Sequence, residues 1–258
     1  MRMDKPGTDP MTNIASPDAA ASGFLASAPD PSRYDWGRVV GETDACEVAG
    51  IVARWLPSGI SVLDVGCGGG VVTERVNQGK NNTILGVELD ATRAEAARAR
   101  GIEVVNGLAD EAFFATHGPF DVILFTDVLE HLSNPSDMLA LAIRGLRPDG
   151  FIIASVPNVA HWSVRIRLLL GRFNYTEEGI MDATHLRWFT RKTFRLLFER
   201  AGLKVTEEAA SAGTWLGEYQ KLPFRLLPLR PRRGLVALLS RRLPRVFGCQ
   251  HIIKAQRV

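Results

Sequence analysis

Four glycines fall within five positions, Gly66, Gly68, Gly69 and Gly70, directly after the apolar run Val62-Leu63-Asp64-Val65. Glycine reaches positive φ without strain and lets a ligand approach the main chain closely. Cys67 sits inside the loop, and residues 71–76 read as the start of a helix whose first N–H groups are free. These residue types in this order suit a nucleotide-like ligand at a strand–loop–helix turn. Glu88, 22 residues beyond Gly66, closes the next apolar run, where a carboxylate suits bidentate hydrogen bonding to ribose hydroxyls. A dinucleotide fingerprint would need its third glycine at position 71, which is Val71. The pattern is instead G-x-G-x-G. A nucleoside without a pyrophosphate needs less of a phosphate cradle and tolerates Asp64 nearby.

Histidine titrates near neutral pH and is the usual general base. Of the five histidines, His131, His161 and His185 fall at the carboxyl ends of the expected strands or in the segment over them, where ligands of open α/β sheets bind. His185, within Asp182…His185…Arg187, is the first candidate for acceptor contact, and His131 is the second. Each has a competing reading: a structural network for His185, and a helix-start histidine tied to Glu130 for His131. His161 is weaker, and His117 and His251 lie away from this end. The cysteines Cys46, Cys67 and Cys249 are too few and scattered for a disulfide framework or zinc site, so no metal is expected.

Short apolar runs alternate with helical patterns from Trp36 onward, which predicts an α/β fold: a doubly wound, mostly parallel, seven-stranded sheet. Expected strands are Val62 to Val65, Thr83 to Glu88, Ile102 to Asn106, Phe120 to Phe125, Phe151 to Val156, one from Leu203, and Cys249 to Ala255. Residues 1–33, rich in Pro, Ala, Ser, Asp and Gly, read as a disordered leader ahead of a domain over 34–258. The stretch 158–190 breaks the rhythm and is expected to be an acceptor-side insert or lid. Residues 213–247 form a basic, Leu/Arg-rich insertion before the last strand.

Net charge is +3 but uneven. No acid follows Glu218, whereas 10 basic residues do, which leaves 21 basic against 28 acidic residues before them. Such asymmetry fits an anionic partner or a solvated basic face. With neither a signal peptide pattern nor a span of about 20 apolar residues, a cytoplasmic setting is expected, with peripheral contact at the inner membrane face through the basic amphipathic segments.

Five blocks together resemble the class I S-adenosylmethionine-dependent methyltransferases. They are the loop run 62–70, Gly86-Val87-Glu88-Leu89-Asp90, Phe120-Asp121-Val122-Ile123, Thr126-Asp127-Val128-Leu129-Glu130-His131-Leu132 and Leu146-Arg147-Pro148-Asp149-Gly150. The resemblance covers roughly 45–156. It implies that S-adenosyl-L-methionine is the cofactor, with Gly66, Cys67, Gly68 and Gly70 along its methionine portion and ribose. It further implies that Asp64 approaches the cofactor's amino group, Glu88 takes the ribose hydroxyls, Leu89 packs on adenine, and Asp127 and Val128 lie beside it. One departure stands out: Gly107 is followed by Leu108 and Ala109 where relatives often place an adenine-binding Asp, with Asp110 as a shifted substitute. The block Asp127 to His131 is similar to ubiquinone-pathway O-methyltransferases. Pro157-Asn158-Val159-Ala160-His161-Trp162, Gly171-Arg172-Phe173-Asn174-Tyr175 and Asp182-Ala183-Thr184-His185-Leu186-Arg187-Trp188-Phe189-Thr190 resemble a bacterial subgroup working on cell-surface polysaccharide and lipid-linked pathways.

The expected activity is methyl transfer to a small-molecule or lipid-linked acceptor, at oxygen, by in-line displacement. A nucleic-acid methyltransferase using the basic tail is disfavoured, because no Asn/Asp-Pro-Pro-aromatic tetrapeptide follows the fourth strand. A nicotinamide dehydrogenase is disfavoured by Val71, and a non-catalytic cofactor-binding scaffold stays open.

Overall fold

A computed structural model describes residues 45–257. The expected leader and the helix start at Trp36 lie outside those residues. The described residues open with α1 (Val48–Trp55), β1 (Ser61–Val65), α2 (Val71–Asn77) and β2 (Thr83–Glu88). Next come α3 (Ala91–Ala99), β3 (Glu103–Asn106), α4 (Glu111–Thr116) and β4 (Phe120–Thr126). A 3₁₀ turn at Leu129–His131 leads to α5 (Pro135–Arg144) and β5 (Leu146–Pro157). Then follow α6 (Trp162–Leu169), α7 (Arg191–Arg200) and β6 (Leu203–Ala210). Two 3₁₀ turns, Gly217–Gln220 and Phe224–Leu226, precede α8 (Leu229–Arg242), α9 (Pro244–Phe247) and β7 (Gln250–Arg257).

The seven strands form one sheet in the order β3-β2-β1-β4-β5-β7-β6. The first five pair in parallel, and β7 runs antiparallel between β5 and β6. Each central strand is apolar on both faces because helices cover both. Leu63, Ile123, Phe125 and Ile152 face one core with Phe194 and Phe198 of α7. Val62, Val122, Leu124 and Ile153 face the other, with Ile51 and Val52 of α1.

Three differences from the sequence reading have local causes. The fifth strand begins at Leu146 rather than Phe151: Phe120 pairs with Leu146 and Val122 with Phe151, so an irregularity beside β4 absorbs the Pro-Asp-Gly turn. Strand β7 continues past Ala255 to Arg257 because β6 extends the pairing. The basic, Leu/Arg-rich insertion, to which the sequence reading assigned no element, is largely helical. Pro231 falls in the first turn of α8, where a missing N–H costs nothing. The insert and the basic segment share one small core, in which Val164, Ile180 and Met181 pack against Leu216, Tyr219 and Val236.

Candidate active site

The glycine loop leaves β1 where β4 also ends. Gly66 has φ of +69°, and a Cβ there would stand 2.8 Å from Val128 Cγ2, so close packing against the β4 end demands glycine. Gly70 caps α2 at φ +80°, and its Cβ would meet Ile102 Cδ1 at 2.5 Å. Asp64, 1% exposed, lies beneath this loop. Its Oδ2 accepts from the Thr73 hydroxyl at 2.6 Å, while Oδ1 has no partner among the described residues. Burial raises its pKa to about 7; the Thr73 hydrogen bond opposes that shift and the Glu88 charge adds to it.

Glu88 is held at the loop's other side. Its Oε2 accepts from Gly68 N–H at 2.9 Å and its Oε1 from Asp90 N–H at 2.9 Å. A carboxylate offers about four acceptor sites, so capacity remains on both oxygens. Leu89 is 66% exposed beside it, and the Asn106 amide holds the Leu89 carbonyl at 3.0 Å. Asp110 is spent as the N-cap of α4, accepting from Phe113 N–H at 2.9 Å, with Leu108 exposed ahead of it. The Cys67 side chain turns into a core with Ala94, Ala97 and Val104, and burial pushes its thiol up.

Past β4, Asp127 adopts φ of +58°, rare for a residue with a side chain and frequent at functional sites. Its Oδ1 accepts from Ser155 Oγ at 2.7 Å and its Oδ2 from the Gln250 amide. Burial raises its pKa, opposed by those hydrogen bonds and by the His131 charge. The insert docks directly on this turn: the Glu130 carbonyl accepts from Leu186 N–H at 2.8 Å and Arg187 N–H at 2.9 Å. Docking brings His131 and His185 together, with ring centroids 4.9 Å apart. His185 is 9% exposed, and burial lowers its pKa to about 4, with the neighbouring His131 adding to the shift. Glu130 is not hydrogen-bonded to His131 through its side chain; both its carboxylate oxygens are buried without a partner among the described residues. Burial, then the Asp127 charge, pushes its pKa well up.

The other candidates separate cleanly. His161 is wholly buried, bonded through Nδ1 to Ser163 Oγ at 2.9 Å and through Nε2 to the Tyr219 hydroxyl at 3.0 Å, so it knits the insert to the C-terminal segment. Trp162 and Phe189 are core residues. Phe173 and Tyr175, 44% and 52% exposed, pack on Trp188, which in turn lies 5.5 Å from the His185 ring. Sequence reasoning gave Glu130 only as a tie for His131, and it passed over Thr184, whose hydroxyl lies 3.2 Å from His131 Nδ1. Nothing in a lone Glu-His pair announces a third partner 54 residues on.

Sheet order, the antiparallel seventh strand and a glycine loop at the end of β1 define a Rossmann-like methyltransferase fold. Solved structures agree. A SAM-dependent methyltransferase from Archaeoglobus fulgidus superposes with a TM-score of 0.56 at 19% identity, covering 88% of this chain and 100% of that one. The [4+2]-cyclase SpnF superposes at 0.54 and 16% identity, covering 86% and 84%, so the fold does not by itself fix the reaction. The chain belongs to the methyltransferase-domain family, which it matches over residues 41–208. The family and these neighbours indicate S-adenosylmethionine as the cofactor. Ubiquinone biosynthesis O-methyltransferase of Thiobacillus denitrificans is 31% identical over 123 residues, 43% of this chain and 53% of that protein. Its counterpart in Maricaulis maris is 29% identical over 119 residues, 44% and 46%. The chain thus spans about half the length of the curated relatives it matches.

Proposed function

We propose that this chain transfers a methyl group from S-adenosylmethionine to a hydroxyl of a small-molecule or lipid-linked acceptor. The observation that carries the reading is the buried, partner-free Asp64 Oδ1 beneath a glycine loop tied to Glu88. A buried carboxylate oxygen without a donor suits an ammonium group, and the Glu88 carboxylate has acceptor capacity for a diol. When bound, S-adenosylmethionine supplies a methyl group on a sulfonium that leaves with the bonding electron pair. In this reading Asp64 accepts from the ammonium, Glu88 from the ribose hydroxyls, and Leu89 covers adenine. Gly66, Gly68 and Gly70 allow the main chain to come close, and Asp127 and Val128 border the reacting end. Residues 158–190 form the acceptor side, with His185 and His131 facing the acceptor beside Phe173 and Tyr175. Displacement at a methyl carbon depends chiefly on positioning, which a docked insert provides. Oxygen as the acceptor atom is supported by the O-methyltransferase names of the relatives.

Transfer of tritiated methyl from the labelled cofactor into lipid, glycan and RNA fractions tests this. Label in the lipid or small-molecule fraction is expected; label confined to RNA would overturn the acceptor class.

One observation favours peripheral membrane contact as well. Leu169 and Leu170 are 85% and 63% exposed, close in the chain to Arg167 and Arg172, and Leu222 and Leu226, 71% and 76% exposed, lie past Glu218, the last acid, close to Arg225. Leucines with arginines on a surface suit an anionic bilayer. No helix among the described residues is long and apolar enough to cross a membrane.

A further inference from the structure

At the β6 edge of the sheet, a cavity of about 480 Å³ opens between α6, the start of α7, β6 and α9. Cavities of roughly 300–1,000 Å³ hold small molecules. Five cationic side chains line this one, Arg165, Arg191, Lys192, Arg195 and Arg245, against one carboxylate, Glu208. Glu208 accepts from Arg191 Nε at 3.0 Å and from Arg195 Nη1 at 3.3 Å, so it holds those two guanidinium groups in place. The other three cations have no acidic partner among the described residues. The Arg165 guanidinium donates to the Ala160 and Arg245 carbonyls, which fixes it at the wall with its charge unmatched. Thr190 caps α7 by accepting from Thr193 N–H, so the N–H groups of Arg191 and Lys192 lack an intrahelical partner. The positive end of the helix thus adds to the same wall. Like charges gathered around a concavity repel one another until an anion joins them.

His251 lies beneath this wall. The sequence alone puts it away from the carboxyl ends of the strands, but β7 runs antiparallel and sets it between Val156 of β5 and Ala210 of β6. Ile253, two residues on, packs in the core under α7, so His251 faces that side too. It is 2% exposed, and neither ring nitrogen has a partner among the described residues. Burial lowers its pKa to about 4, with the Arg191 charge adding to the shift and the Glu208 charge opposing it. Both of those charges line the cavity, so a neutral imidazole with an unspent N–H sits just below them. A structural histidine satisfies its nitrogens within the protein, as His161 does with Ser163 and Tyr219. An anion seated in the cavity would take the His251 donor directly or through a water.

We propose that this cavity binds a phosphate-bearing ligand through its mono- or diphosphate group, with Arg165, Lys192 and Arg245 as the cationic contacts. Guanidinium forks match phosphate oxygens bidentately, and lysine adds a compact charge. A single carboxylate on the ligand would leave most of the cationic charge unmatched. The site is separate from the glycine loop: β6 is four strands from β1 in the sheet order, about 19 Å at about 4.8 Å per strand. It therefore goes beyond the methyl-transfer reading and does not rest on it.

The test titrates the full chain with inorganic pyrophosphate by calorimetry, in buffer free of phosphate, sulfate and divalent ions. One ion per chain is expected, bound at least about tenfold more weakly by the double variant Lys192→Gln, Arg245→Gln. Both side chains are exposed, so the variant's melting temperature should stay within about a degree or two of the parent's. Arg230→Gln, on α8 outside the cavity, should bind pyrophosphate as the parent does, and saturating S-adenosylmethionine should not compete. Absence of saturable binding, unchanged affinity in the double variant, an equal loss in Arg230→Gln, or competition by the cofactor would overturn the site. Vesicles of phosphatidylcholine with phosphatidic acid then separate the two sources of a phosphate group. Sedimentation lost in the double variant identifies a lipid headgroup. Pyrophosphate binding lost in that variant, with sedimentation unaltered, identifies a water-soluble ester.

Discussion

In the proposed reading Asp64 and Glu88 make different demands on the ligand, one for a cation and one for hydroxyl donors, and each can be tested singly. The buried Asp64 carboxyl has a pKa of about 7 in the fold against 3.8 in an exposed chain. The fold therefore favours its proton, and the melting temperature of the cofactor-free chain should fall as pH rises from about 4 to 7, then level off. Asp64→Asn should flatten that slope. An ammonium ligand favours the ionised carboxylate, so cofactor affinity should rise with pH, at most about tenfold per unit, until pH 7. It should decline again as the ligand's own amine deprotonates near about 8. An affinity independent of pH between 5 and 7 would remove Asp64 from the ammonium site. Glu88→Ala deletes the acceptor of the Gly68 and Asp90 N–H groups together with the proposed ribose contacts. Charged hydrogen bonds contribute about 1.5–3 kcal/mol each, so calorimetry should read a loss of at least about tenfold. Unchanged affinity would sink the ribose assignment.

At the scale of elements, the glycine loop and the α7 cap show which local signals carry mechanical weight. Gly70→Ala forces a side chain into φ +80° and against Ile102 Cδ1 and the Ala97 main chain, whereas at Gly69 the nearest atom to an added Cβ is 3.8 Å away. Left-handed backbone costs an L-residue about 1–2 kcal/mol before any clash, so Gly70→Ala should lower the melting temperature by roughly 3–8 °C. Gly69→Ala should leave it within about a degree or two. A matching fall in both would mean that close packing at Gly70 is not the cause. Thr190 and Thr193 close a capping box on α7: Thr190 Oγ1 accepts from Thr193 N–H at 3.3 Å, and Thr193 Oγ1 accepts from Thr190 N–H at 2.9 Å. All atoms of this cap lie within four residues, so a local pattern can encode it. By contrast, the start of β5 was legible only from Phe151, since the earlier pairing of Leu146 with Phe120 depends on extra residues of β5 between Leu146 and Phe151 that have no counterpart in β4.

Over the whole molecule, the exposed leucines of α6 and of the 222–226 stretch belong to segments joined through a common core: Trp162 packs on Phe224, and the Arg167 guanidinium donates to Glu218 Oε1 at 2.6 Å. Phe224 and Val236 pack within that core, so surface substitution tests membrane contact better than deletion of 221–247. The triple variant Leu169→Ser, Leu222→Ser, Leu226→Ser should fold and lose sedimentation with anionic vesicles; undiminished sedimentation would remove this surface from the membrane reading. The sequence by itself determined the alternating α/β order, the glycine loop, and the pairing of that loop with Glu88. The first two are written in residues a few positions apart, where strand period, turn chemistry and backbone freedom act, and the third spans 20 residues within one strand–helix–strand unit. Tertiary structure alone decided the rest: which histidine became a buried tie (His161), and that Glu130 and His131 would meet His185. Those contacts join the end of a strand to an insert more than 50 residues away. They depend on the Glu130 carbonyl accepting two insert N–H groups, and no local pattern encodes a hydrogen bond made across the fold.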